Sequence, residues 1–271
     1  MKINFGYTGS AHRLPRQGAL AAALFCAGAA FCSPASSYDW KFSTSYNYDT
    51  GKYGTSIRTN TSYVPFTLKR YFDDASLALT VPYVSQKSNG QVVNIGGTPF
   101  LVKRAGGGTT TQSGIGDVIL RGTYAAVKEG PQPFDLALVG KIKFPAADKN
   151  KGLGTGKYDE GAGLEFGKKL QADLTLLADF YYTAIGSPSG LKLRDQKAFD
   201  LGFFYLARKD LTLTVLYETS NALLRGNTAP RDLRGILEYT ARPFKVYAGA
   251  TAGLSKGSPD FGFSLGGSIR F

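Results

Sequence analysis

The sequence predicts an all-β protein: a closed antiparallel transmembrane β-barrel of about 12 strands, joined as an up-and-down meander. Three observations predict it. From Tyr38 onward the dominant hydrophobic period is two residues, not 3.6. The connections between the period-two segments sort by length, long and short alternating from the third onward. An apolar run behind a basic start reads as an export signal.

The signal comes first along the chain. Lys2, Arg13 and Arg16 precede "GALAAALFCAGAAF" at 18–31, and no acid occurs before Asp39. The run is too short to cross ~30 Å of hydrocarbon as a helix. A basic region, an apolar region and then small residues make residues 1–37 a secretory signal peptide, cleaved near 35–37, after Ala35 or Ser37. A lipid anchor needs a small residue before the acceptor cysteine, but Phe25 precedes Cys26 and Phe31 precedes Cys32. Residues 38–271 are then a single outer-membrane barrel domain.

Cleavage removes His12 and both cysteines, so the remaining chain has no His and no Cys. A Ser–His catalytic site, a His- or Cys-based zinc site and covalent haem are excluded, and neither an enzyme activity nor a cofactor is expected. The formal charge falls from +12 to about +9, since three basic residues leave and no acid does. A basic exported chain meets outer-membrane lipid, anionic lipopolysaccharide and small-molecule solutes, and no nucleic acid.

Twelve segments follow, each bounded by Gly, Pro, Asp, Asn or Lys clusters. They are 39–50, 55–68, 75–86, 115–128, 133–145, 158–169, 173–185, 197–208, 211–222, 231–242, 244–255 and 260–271. Even-numbered turns such as "EGPQ", "LQAD" and "KD" are short, and odd-numbered loops are mostly longer. An antiparallel meander puts odd and even connections at opposite ends, and bacterial outer-membrane barrels have short periplasmic turns and longer external loops. A soluble sandwich could also bury one apolar face, but gives no reason for this sorting.

Each segment has two unlike faces. Leu77, Leu79, Val81 and Tyr83 share one side; Ser76, Ala78 and Thr80 share the other. Phe134, Leu136, Leu138, Ile142 and Phe144 oppose Asp135, Lys141 and Lys143. Aromatic residues such as Tyr124, Phe144, Tyr217 and Phe271 fall near segment ends, where interfacial girdles sit. The closing segment, "FGFSLGGSIRF", ends on Phe271, an aromatic ending that reads as the signal for the barrel-assembly machinery.

By alternation the inward face carries Lys41, Arg58, Arg121, Lys141, Lys143, Arg234, Arg242, Lys245 and Arg270. Against them stand Asp49, Asp117, Asp135, Glu165, Asp179, Asp200, Glu218 and Glu238. The set could form opposed ladders across a pore, or pair with neighbours and merely satisfy a polar interior. The pore-lining candidates are Arg58, Arg121, Lys141, Lys143, Glu165, Asp179, Glu218, Arg234, Glu238 and Arg242. Lys141 and Lys143 share a face and repel, so they must be hydrated or meet acids such as Glu165. "GLGTGK" at 152–157 is not a phosphate loop, because Lys151 and Tyr158 stand where Gly and Ser/Thr are needed.

Residues 87–114 form a long connection with an apolar centre, Pro99, Phe100, Leu101 and Val102, inside Gly- and Thr-rich flanks. Loops of this length usually carry function or are disordered. Those four residues are candidates for a constriction or lid; an external hairpin packed on neighbouring loops is the other reading.

"LALTVPYV" (77–84), "SGIGDVILRGTY" (113–124) and "KIKFPAADKNKGLGTGKYDEGAGLEFGKKL" (141–170) together resemble an outer-membrane transporter family named for the MetA pathway of phenol degradation. The resemblance is clearest over about residues 76–185. It implies a barrel in the outer membrane of a Gram-negative bacterium that passes small solutes passively, aromatic compounds among them. It supplies a class and no site. The alternative function is a non-conducting barrel, structural or partner-holding, such as a sheath around a periplasmic electron-transfer protein.

Overall fold

The computed structural model describes residues 40–95, 98–102 and 107–271. The proposed signal peptide lies outside the described residues. Among the described residues there are fifteen strands: β1 (Trp40–Gly51), β2 (Thr59–Tyr71), β3 (Ala75–Ser88), β4 (Val92–Ile95), β5 (Thr98–Leu101), β6 (Thr110–Ile115), β7 (Val118–Val127) and β8 (Asp135–Phe144), then β9 (Asp159–Lys169), β10 (Leu174–Ile185), β11 (Gln196–Arg208), β12 (Leu211–Ser220), β13 (Arg231–Ala241), β14 (Phe244–Gly253) and β15 (Phe261–Arg270). Thirteen of them form one antiparallel sheet that closes, with β1 beside β15 and β2 beside β3.

The wall has 12 staves, as the period-two segments predict, because β6 and β7 are one stave in two pieces. Both pair with β3, β7 along its first half and β6 along its second. The break falls at Gly116 and Asp117, where the Gly116 N–H is held by the Pro82 carbonyl at 2.8 Å. A Cβ on residue 116 would come within 2.8 Å of Val84 Cγ2, so only glycine lets the two strands approach this closely. Closure matters physically: it pairs every edge, which is the one way a sheet satisfies its backbone in hydrocarbon.

The burial pattern is inverted relative to a water-soluble barrel. On β3, Leu77, Leu79, Val81 and Tyr83 all point outward and are 38–46% exposed. On the same stave Ala78, Thr80, Val84 and Gln86 point inward and are buried. Around the ring, outward Phe66, Leu138, Leu164, Phe203, Leu237 and Leu265 continue the apolar band. Near the stave ends outward rings pair, Tyr48 with Phe263 at 5.6 Å and Phe144 with Tyr158 at 5.8 Å. An apolar belt of this extent is far beyond what a soluble monomer exposes. Among the described residues no helix is long and apolar enough to cross a membrane.

The even connections are short, for instance 209–210 between β11 and β12. The odd ones gather at the other end of the barrel, and the span after β3 is the exception to simple looping. It folds into the β4–β5 hairpin, which pairs with no barrel stave.

Candidate functional site

The strand register arranges the inward charges into two rows. Arg270 stands directly across from Lys41, and Lys41 from Lys69. Lys69 faces Ala78, Ala78 faces Arg121, and Arg121 faces Lys141. This basic row crosses β15, β1, β2, β3, β7 and β8. On the rest of the ring Glu165 stands across from Asp179, and Asp179 from Asp200. Asp200 faces Glu218, and Glu218 faces Asp232. This acidic row crosses β9 to β13 without interruption.

Like charges directly opposite on neighbouring strands destabilise a sheet, so neither row stabilises its own wall. Each is offset by charge on the other side and by a few direct pairs. Arg121 reaches past β8 to Glu165 at 2.5 Å and lies over the Tyr181 ring. Tyr181 donates its hydroxyl to the same carboxylate. Arg234 meets Glu218 at 3.2 Å, and Lys245 meets Glu238 at 2.7 Å. Two charges 4 Å apart interact by about 1 kcal/mol in water and about 4 kcal/mol at an effective dielectric near 20. Two facing rows across the barrel interior therefore impose a field across it.

Lys143 has a separate role. It is fully buried between Asp117 at 2.6 Å and Asp159 at 3.3 Å, and also donates to the Lys157 carbonyl at 2.9 Å. Asp117 in turn accepts from the Ala147 N–H at 3.1 Å. The cluster therefore ties the β8–β9 loop down onto the barrel rim. The repulsion expected between Lys141 and Lys143 is resolved by these acids and not by Glu165: Lys141 donates to Thr183 Oγ1 at 3.2 Å.

Of the pore-lining candidates, Arg121, Lys141, Lys143, Glu165, Asp179, Glu218, Arg234 and Glu238 are buried on the inner face. Arg58 and Arg242 are elsewhere. Arg58 is exposed on the β1–β2 loop and paired with Asp260 at 2.8 Å, because β2 starts only at Thr59 and its inward residues are the odd-numbered ones. Arg242 is exposed in the β13–β14 turn, one residue past the end of β13. Sequence reasoning missed inward Lys69, Asp159 and Asp232. Each has a charged neighbour of the opposite parity, Arg70, Glu160 and Arg231, so the register had to decide which one faces in.

Above the rows sits the β4–β5 hairpin. Val93 pairs with Phe100 and Asn94 with Pro99. Val93, Ile95, Phe100 and Val102 pack with Ile185 at the top of β10, Leu193 and Leu223. Of the constriction candidates, Pro99, Phe100 and Val102 are buried and Leu101 half-buried. Hydrogen bonds to its surroundings hold the hairpin, among them Gln86 Nε2 to the Val92 carbonyl at 2.8 Å, the Asn94 N–H to the Gly152 carbonyl at 3.0 Å, and Asn227 Nδ2 to the Leu101 carbonyl at 3.1 Å. The partners come from β3, the β8–β9 loop and the β12–β13 loop, so the hairpin lies inside the ring of loops at the barrel mouth. At the opposite end Phe271 is exposed and exchanges two 3.0 Å backbone hydrogen bonds with Trp40.

The family model described as "Putative MetA-pathway of phenol degradation" matches residues 54–271. The chain belongs to this phenol-degradation family. Among solved structures, the COG4313 outer-membrane channel from Pseudomonas putida F1 superposes with a TM-score of 0.64 at 11% identity, over 89% of this chain and 100% of that one. The NanC porin gives 0.54 at 12% identity, over 85% and 100%. The KdgM porin, solved in complex with disordered oligogalacturonate, gives 0.53 at 11% identity, over 84% and 99%. These likenesses are of fold. No curated protein matches the chain. The family member described here thus has a porin-like barrel fold.

Proposed function

We propose that this protein is a passive channel in the Gram-negative outer membrane for small organic solutes, aromatic compounds among them. The observation that carries the reading is the pair of opposed charge rows inside a closed, externally apolar barrel. A partner-holding sheath needs no such arrangement, whereas a hydrophilic pore uses it: a transverse field orders water and dipolar solutes and disfavours unaligned apolar ones. Staves of 10–14 residues are long enough to cross ~30 Å at the usual tilt. The exposed apolar band is the surface that lipid would cover, with lipopolysaccharide at the loop end. Phe271 would serve the barrel-assembly machinery. The family's description in terms of phenol degradation supports an aromatic cargo, and the porin-like fold supports a channel and not an enzyme.

The rows line the pathway, and the β4–β5 hairpin sets its outer constriction. Residues such as Lys69, Asp200 and Glu238 are almost inaccessible to water in this conformation, so a solute passes only when hairpin or side chains yield. Refolded protein in a planar lipid bilayer should give steady single-channel steps. A persistently silent bilayer, with the barrel verified as folded, would overturn the proposal in favour of the non-conducting holder.

A further inference from the structure

Between the hairpin and the neighbouring loops at the mouth lies a cavity of about 1120 Å³. Its floor is apolar, built from Val93 and Val102 of the hairpin and Leu193 of the β10–β11 loop. Its rim is basic: Lys149, Lys192, Arg194 and Arg225 line it and are exposed. No acid among the described residues forms an ion pair with any of these four. The single acid in the lining, Asp195, is already engaged, accepting from the Tyr182 hydroxyl at 2.5 Å and the Ile185 N–H at 3.2 Å. A second, independent feature points the same way. Thr155 lines the cavity and is 4% exposed, yet its hydroxyl has no hydrogen-bond partner among the described residues. A buried hydroxyl without a partner is costly unless a ligand or ordered water completes it.

We propose that this vestibule is a binding site for small amphipathic organic anions, with aryl carboxylates as the best-fitting class. The carboxylate sits among the four cations and accepts from the Thr155 hydroxyl; the ring lies on Val93, Val102 and Leu193. The two halves of the site exclude the neighbours of this class. A neutral aromatic forgoes the charge, and a small inorganic anion leaves the apolar floor wet. The site deepens the channel reading, as a capture point above the constriction, and rests on that reading for its purpose alone. Ligand binding to the folded barrel does not depend on conduction.

The test is equilibrium dialysis of the detergent-folded barrel with radiolabelled benzoate, with benzyl alcohol and acetate as competitors. Saturable benzoate binding is expected, at least tenfold tighter than either competitor. Thr155→Val should weaken it about tenfold and Thr155→Ser should preserve it, since the lost contact is a hydrogen bond to a charged group. Lys149→Gln with Arg194→Gln should weaken it further without changing the heat-dependent gel shift of the folded barrel. Benzoate bound no better than acetate, or bound equally by Thr155→Val and the double variant, overturns the site. Binding to a barrel that is silent in bilayers overturns the channel reading and leaves the site. Conduction without benzoate binding does the reverse.

Discussion

The barrel wall and the mouth hairpin are both β-structure, and they are held in opposite ways. The wall is a continuous ladder: each stave pairs along most of its length with two neighbours, and the sheet closes on itself. Among the described residues the hairpin is two four-residue strands paired with each other and with no stave, docked by an apolar cluster and by hydrogen bonds from Gln86 and Asn227 and to Gly152. A two-stranded ribbon is marginal on its own, so its position depends on the loops around it. The difference separates two jobs. On the proposed reading the wall sets where the protein sits and which charges face the interior, whereas the hairpin would set whether the bore is open, and it should be able to change without unfolding the wall.

Two changes test that separation, the largest effect first. Gly202 faces inward on β11, and a Cβ there would fall 2.0 Å from the Val215 carbonyl oxygen of the adjacent stave. Gly202→Val should cost about 4 kcal/mol or more, in the range that marks a single substitution as exceptional. The expected readout is loss of the anomalous migration of unboiled protein on an SDS gel. Excising residues 91–106 should do the contrary. The Asn89 carbonyl and the Gly107 N–H are 3.0 Å apart, so the cut ends already meet. The barrel should keep its gel shift while single-channel conductance rises several-fold. An excised barrel that fails to fold, or conducts as before, would erase the distinction between wall and mouth.

The same division explains what could be read from the sequence. The staves were legible because one face meets an apolar phase and the other does not, which writes a period of two into stretches such as "FDLALVGKIKF". Boundaries came out within a few residues, apart from the start of β2. That loop runs on to Thr59 through Tyr53, which has a positive φ of 51°, and Gly54. The β6 piece and the hairpin were not legible. Thr110–Ile115 has no apolar alternation because it stands above the belt, and "VVNI" and "TPFL" are too short to show a period. Alternation also gives the face of a charge but not its height. Glu165, Asp179, Asp200, Glu218 and Asp232 lie far apart in sequence, and only the register puts them in one row.

A smaller effect sharpens what the wall does alone. Asp200→Asn with Glu218→Gln removes two adjacent charges of the acidic row and takes from Arg234 its partner at 3.2 Å. The cation-to-anion permeability ratio should fall about fivefold, the factor that ~1 kcal/mol of lost attraction carries. Lys69→Gln with Lys141→Gln should move it the other way. Both are read as reversal potentials in a salt gradient, and both should leave the frequency of closures unchanged. Identical shifts from the two pairs would mean that the rows do not act as opposed walls.

The smallest effect falls on the hairpin alone. Asn227 reaches from the β12–β13 loop to the Leu101 carbonyl at 3.1 Å, the one side-chain hydrogen bond that loop gives the hairpin among the described residues. The apolar cluster and the bonds from Gln86 and to Gly152 survive its loss, so Asn227→Ala should not release the hairpin outright. It should remove the net value of one hydrogen bond, about 1 kcal/mol. If docked and displaced hairpins are in equilibrium, the displaced population should then rise about fivefold. In bilayer recordings this means longer or more frequent open intervals at unchanged open-state amplitude. Asn227→Asp tests the chemistry, because a carboxylate cannot donate to the Leu101 carbonyl and should behave like alanine or worse. A change in amplitude with unaltered open time would show that Asn227 shapes the open bore itself and that the hairpin does not gate it.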